Sequence, residues 1–445
     1  MTPTLPRQPN RACADTRRTA YAEAVAAVAT DAGTSGTAAP GAVTSRTAAS
    51  GAVTLGEHVG GQLRRLCGAA GFTAGGRAPG DALTDLLDLL GPVARRPLAA
   101  GPPSPSFVCD DHSPVEFSLS FPAAGSPAVR VLVEPGCGAT SLADNGRLGM
   151  QALKALAARH GFSTEPVRRV EDLFLPPAIQ GSFALWCAMD LRRDGPPGIK
   201  VYVNPQAHGP DRSADVVREA LTRSGFGRAW PALREGALSR GHGKDVILFV
   251  ALDLGRWQAP RLKVYVAHHG ATAAQVRAVS RLMPGGRAED VDEFCRAVGG
   301  DPGHFTRRPL VSCLSYTAHD LERPSGHTLH VPVRDYVPDD AVALGRATSV
   351  LQRHRTEPDT DTKADTEADA DAGVGAVGRA LIAMTPRRAS DGVGLITYVS
   401  LVRSRRQPPR VTVYFSPEAY GVRPPRAAER QLPADADGHR CRTAG

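Results

Sequence analysis

Five times along this 445-residue chain, a strand-like run is followed after a short gap by a second run, and the second runs are versions of one phrase. They read Val129-Arg-Val-Leu-Val-Glu-Pro, Ile199-Lys-Val-Tyr-Val-Asn-Pro, Leu262-Lys-Val-Tyr-Val-Ala-His, His327-Thr-Leu-His-Val-Pro-Val and Val411-Thr-Val-Tyr-Phe-Ser-Pro. A repeat at fixed period marks stacked copies of one supersecondary unit. Aligned at Leu132, Tyr202, Tyr265, His330 and Tyr414, the copies are 70, 63, 65 and 84 residues apart. The long last interval contains an acidic low-complexity segment, 356–373, with seven acids and one lysine, which reads as a solvated insertion.

The first runs are Val115–Phe121, Phe183–Leu191, Val246–Leu254, Leu310–Tyr316 and Leu395–Leu401. Each is close enough to its partner to form an antiparallel hairpin. Apolar residues at helical spacing fill the stretches between hairpins: Leu148–His160, Ala214–Arg223, Thr272–Leu282 with Ala288–Val298, and Asp339–Leu351. Two more helices, around Leu55–Leu66 and Asp81–Leu90, precede the first hairpin. The expected class is α+β, with ten antiparallel strands. A twisted sheet of that size curls or closes, and closure removes both edges. The expected organisation is a disordered Ala/Thr/Gly-rich leader over 1–54, one domain of five repeats over 55–422, and a flexible tail over 423–445.

Strand alternation sorts the side chains. Ile199, Val201 and Val203 oppose Lys200 and Tyr202, and Leu262, Val264 and Val266 oppose Arg261, Lys263 and Tyr265. Val411, Val413 and Phe415 oppose Arg410, Thr412 and Tyr414, while Phe117, Leu119 and Phe121 oppose Glu116, Ser118 and Ser120. Period-two alternation puts each set on one side of the sheet. A sheet with helices on its apolar face and water on the other accounts for any one strand. Across five strands, the helices cover the Val/Ile face and leave the cations and tyrosines to converge on whatever the sheet encloses. In a closed sheet, Arg130, Lys200, Arg261, Lys263 and Arg410 share one lumen. Confined cations repel one another and lose hydration, which favours a bound anion. The net charge of +8 becomes +14 once the acidic segment, at −6, is set aside.

These residues resemble the bacterial members of the dimethylallyltryptophan synthase family, aromatic prenyltransferases of the ABBA (ααββ) barrel fold. The resemblance runs from about Leu55 to Tyr420. It rests on the Glu116-Phe-Ser strand, Arg130, Lys200-x-Tyr202, Arg261-x-Lys263-x-Tyr265, Val331-Pro-Val-Arg-Asp-Tyr336 and Tyr414-Phe-Ser-Pro-Glu-Ala-Tyr420. It implies transfer of a dimethylallyl group from dimethylallyl diphosphate, as co-substrate, to the indole of tryptophan or a related ring in secondary metabolism, without metal or other cofactor. It also implies that Arg130, Lys200, Arg261, Lys263 and the weaker match Arg410 hold the diphosphate. Tyr202, Tyr265 and Tyr414 would shield the allyl cation, and Glu116 would accept the indole N–H. The fourth strand departs from the family: His330 stands where a tyrosine is usual, and imidazole faces a cation only when neutral.

Other classes fit less well. No uninterrupted apolar stretch of membrane-spanning length occurs, the first residues lack the apolar core of a secretory signal, and the eight cysteines contain no CxxC pair. The expected setting is the cytoplasm, with reduced thiols and no structural zinc. Asp110-Asp111 and Asp339-Asp340 lack the spacing of an Asp-rich magnesium motif, and the second pair reads as a helix N-terminus. The basic residues alternate into a sheet face instead of forming an exposed arm, so no nucleic-acid partner is expected. Two rivals remain: a prenyltransferase for another aromatic acceptor (a phenol, tyrosine or a cyclic dipeptide), and a non-catalytic anion-binding barrel. The sequence leaves the oligomeric state open.

Overall fold

The computed structural model describes residues 52–421 except 73–77, 124, 192–195, 256–260, 286–287, 356–374, 376 and 385–390. The expected leader (apart from 52–54), the acidic insert 356–373 and the tail 423–445 lie outside the described residues.

The hairpins close on themselves. The strands are β1 Val115–Phe121, β2 Ala128–Val133, β3 Leu185–Asp190, β4 Gly198–Val203, β5 Asp245–Leu254, β6 Leu262–His268, β7 Leu310–Tyr316, β8 Gly326–Val331, β9 Ile396–Ser404 and β10 Arg410–Phe415. Each pairs antiparallel with its neighbours in sequence, and β1 pairs with β10 to complete a ten-stranded barrel. At that seam Ser118 faces Tyr414 and Phe117 faces Phe415.

Alternation then decides what lies inside. Val129, Val131, Val133, Ile199, Val201, Val203, Val264, Val266, Leu329, Val331, Val411, Val413 and Phe415 are buried on the outer wall. Helices cover that wall: Leu142–His160, Ser213–Arg223, Trp230–Ala237, Ala273–Ser280, Glu289–Gly299 and Asp340–Arg355, with Leu55–Ala69 and Ala78–Leu90 ahead of the first hairpin. Burying one such aliphatic side chain stabilises the fold by about 1.5–3 kcal/mol.

One helix starts well before the place the sequence reading gave it, and one was not expected. The helix expected from Leu148 begins at Leu142, because the Ser141 hydroxyl accepts the Asp144 N–H as an N-cap; it ends at Gly161, whose φ of 65° suits glycine. Trp230–Ala237, with Pro231 in its first turn, was not anticipated. At the Asp339-Asp340 pair only the first residue caps, its carboxylate accepting the Val342 N–H. Asp340 is fully buried and accepts the backbone N–H groups of Gly394, Leu395 and Ile396, tying a helix start to the entry of β9. Among the described residues, no helix is long and apolar enough to cross a membrane.

Candidate active site

In an antiparallel barrel all even-numbered strands run one way and all odd-numbered strands the other. On β4 and β6 the chain passes a lumen-facing cation and then an aromatic ring: Lys200 then Tyr202, Lys263 then Tyr265. On β10, Arg410 precedes Tyr414. The cations therefore collect at the end where even strands begin, and the rings lie further along. Glu116, at the start of an odd strand, belongs to the opposite end. The register places it beside Leu132 near the end of β2.

The lumen holds a cavity of about 260 Å³, measured by the centres of water-sized spheres, and all ten side chains singled out from the sequence line it. At the cation end, the Asp190 carboxylate touches two of them. Its Oδ1 lies 3.0 Å from Arg130 Nε and its Oδ2 2.5 Å from Lys200 Nζ. Arg261 Nε donates to Asp253 Oδ2 at 2.6 Å. Five cations meet two carboxylates here, so the bare lumen carries surplus positive charge. Burial, opposed by Asp190, pushes Lys200 down to about 7. Burial also lowers Lys263, and burial with Arg130 brings Arg410 down to about 10. Asp190 responds the other way: burial raises it, but Arg130 and Lys200 outweigh burial and hold it well below the usual carboxylate range.

The rings form a continuous belt. Centroid distances are 5.7 Å for Tyr202–Tyr265, 5.9 Å for Tyr265–His330 and 5.5 Å for His330–Tyr414. Burial, with Lys263 and Arg130 nearby, pushes His330 down to about 3, so its imidazole is neutral at physiological pH and presents a ring instead of a charge. Burial pushes the Tyr414 phenol up to about 12; the electrostatic influence of both Arg130 and Glu116 reaches it, so this ring sits between the two ends. Trp186 faces the lumen opposite Tyr202 and stacks on Phe183 with ring centroids 4.1 Å apart.

Glu116 accepts the Thr397 hydroxyl at 3.3 Å. Burial pushes its carboxyl up to about 8, against the pull of Arg334 and that hydrogen bond. Beside it lies an ionic cluster. Asp110 accepts from Arg334 at 2.7 Å and from Arg308 at 3.0 Å, and Arg308 also meets Asp335 at 2.8 Å. Arg334 packs over the Tyr398 ring, 5.7 Å from its centroid.

Sequence reasoning did not assign Asp190, Asp253, Trp186, Phe249, Arg308 or Arg334 to the site. The two aspartates had a signal: Met189-Asp190-Leu191 and Leu252-Asp253-Leu254 repeat one phrase at the same phase. Asp110 had been weighed only as a metal ligand, whereas it is the anion between two arginines.

A model of the tryptophan dimethylallyltransferase family matches residues 83–366. The chain belongs to that family. Among solved structures it is similar to the prenyltransferase PriB in ternary complex with L-tryptophan and dimethylallyl thiolodiphosphate, at 47% identity over 84% of this chain and 99% of that one, with a TM-score of 0.76. It resembles 5-dimethylallyl tryptophan synthase from Streptomyces coelicolor at 48% identity, covering 86% of this chain and 100% of that chain, with a TM-score of 0.75. The corresponding values for 6-dimethylallyltryptophan synthase from Micromonospora olivasterospora are 38%, 84%, 100% and 0.74. Both synthases were solved with a dimethylallyl diphosphate analogue, abbreviated DMASPP, and Trp.

Proposed function

We propose that this protein transfers the dimethylallyl group of dimethylallyl diphosphate to the indole ring of L-tryptophan. One observation carries the reading: a single shielded lumen has surplus cationic charge at one end, a carboxyl group at the other and a belt of neutral rings between. That order matches the order of events. The C–O bond to the diphosphate breaks, and Arg130, Lys200, Arg261, Lys263 and Arg410 stabilise the charge that builds on the leaving group, most strongly away from water. The allyl cation left behind faces Tyr202, Tyr265, His330 and Tyr414, each worth about 1–2 kcal/mol when desolvated. A ring carbon of the indole attacks it. Glu116, once ionised, accepts the indole N–H, raises the ring's nucleophilicity and stands near to help remove the proton whose loss restores aromaticity.

The cation set takes over the charge neutralisation that a divalent metal would supply, so the reaction should proceed without one. Activity lost to EDTA and restored only by a divalent ion would contradict this. The six described cysteines are buried free thiols, which supports a reducing compartment such as the cytoplasm. Incubating the protein with L-tryptophan and dimethylallyl diphosphate, followed by mass spectrometry, tests the activity. Tryptophan should gain one isoprene unit; unchanged tryptophan, with alkylation of a phenol or cyclic dipeptide in parallel assays, would transfer the reading to another acceptor.

A further inference from the structure

Asp190 and Asp253 occupy matching places in successive repeats, towards the end of the first strand of a hairpin and across from Arg130 and Lys200 of the preceding strand. Two of the other first strands carry serine there, Ser120 and Ser315, and the third carries Val402. The fold thus tolerates an uncharged side chain at this place, and two of five copies carry a carboxylate instead. Asp190 bridges cations from two different strands, Arg130 of β2 and Lys200 of β4. Lys200 is 4% exposed, and the charged groups acting on it come from four strands: Asp190 on β3, Arg130 on β2, Lys263 on β6 and Asp253 on β5. A buried ammonium between two other cations tends to lose its proton. A carboxylate at hydrogen-bond distance opposes that loss and fixes the direction of the amine.

We propose that Asp190 is a positioning residue for the diphosphate site: it keeps the Lys200 ammonium charged and aimed before the donor arrives, whereas Asp253 aims Arg261 and contributes less to the charge on Lys200. The difference lies in the partner. A guanidinium keeps its charge in any protein environment, and an ammonium does not. The inference rests on the reading of the five cations as the diphosphate site.

Without the Asp190 carboxylate, Lys200 is neutral in the empty lumen, and an incoming diphosphate drives it to take a proton from the buffer. Calorimetric titration with inorganic diphosphate at about pH 6.5, in two buffers of different ionisation enthalpy, counts that proton. Asp190→Asn should bind diphosphate about tenfold or more weakly and take up roughly half a proton or more beyond the native protein. Asp190→Ser, which introduces the residue of two sibling repeats, should do the same and serves if the asparagine variant does not fold. Asp253→Asn should lose affinity with a smaller rise in proton uptake than either Asp190 variant. Adding Lys200→Arg to either Asp190 variant should abolish the extra proton. Equal uptake by the native protein and both Asp190 variants would overturn the inference and leave the diphosphate site standing. Failure of the native protein to bind diphosphate at all would overturn the site itself.

Discussion

His330 and Tyr414 pack with ring centroids 5.5 Å apart and planes inclined at 55°, although β9 separates their strands. Curvature of the closed barrel brings the two rings together. With Tyr265 on its other side, His330 completes a belt that a gap on β8 would break.

Replacement of His330 by alanine should therefore lower kcat by about tenfold, the equivalent of one aromatic face, while His330→Tyr stays within a few-fold of native. Because the imidazole is already neutral, with a value near 3, native kcat should show no titration assignable to His330 between pH 5 and 8. Steady-state kinetics across that range checks both outcomes.

Lys263→Ala removes one donor to the leaving group and should reduce kcat/KM for dimethylallyl diphosphate by about 10²–10³. Unchanged turnover would remove Lys263 from the proposed diphosphate set.

Glu116 must be ionised to accept the indole N–H, and burial places its value near 8. Activity towards tryptophan should rise as pH increases through that region, and Glu116→Gln should abolish the rise together with most of the activity. Stability runs the other way. The folded carboxyl binds its proton more tightly than the unfolded one, so stability falls between the unfolded value, about 4.3, and the folded one. Glu116→Gln should raise Tm by a few degrees at pH 8–9 and leave it unchanged near pH 4, as measured by thermal melts at both pH values.

Arg334 favours the ionised form of Glu116 through space. Arg334→Gln should move the acid limb of the tryptophan profile to higher pH. A uniform drop at all pH values would show that Arg334 supports only the loop around it.

Much of this architecture was legible because closure follows from counting. Five copies of one phrase imply ten strands, and alternation assigns Val201 and Tyr202 to opposite walls. The cations and rings could be read because they repeat in phase. Trp186 could not, since both faces of Phe183-Ala-Leu-Trp-Cys-Ala-Met are apolar and only the pairing of Trp186 with Tyr202 sets its direction. Arg308, Arg334 and Asp110 stand outside the strands, where no periodicity orients a side chain; chain folding brings them together across more than 190 residues.

The bond between the first strand and the last has a bearing on how the enzyme is made. Until Arg410–Phe415 emerges from the ribosome and zips onto Val115–Phe121, neither an enclosed chamber nor a complete ring of aromatics exists. Such a long-range pairing is slow to form. A nascent or truncated polypeptide is thereby kept from ionising an allylic ester in the open, where water would quench the product, and competence arrives only with the final stave.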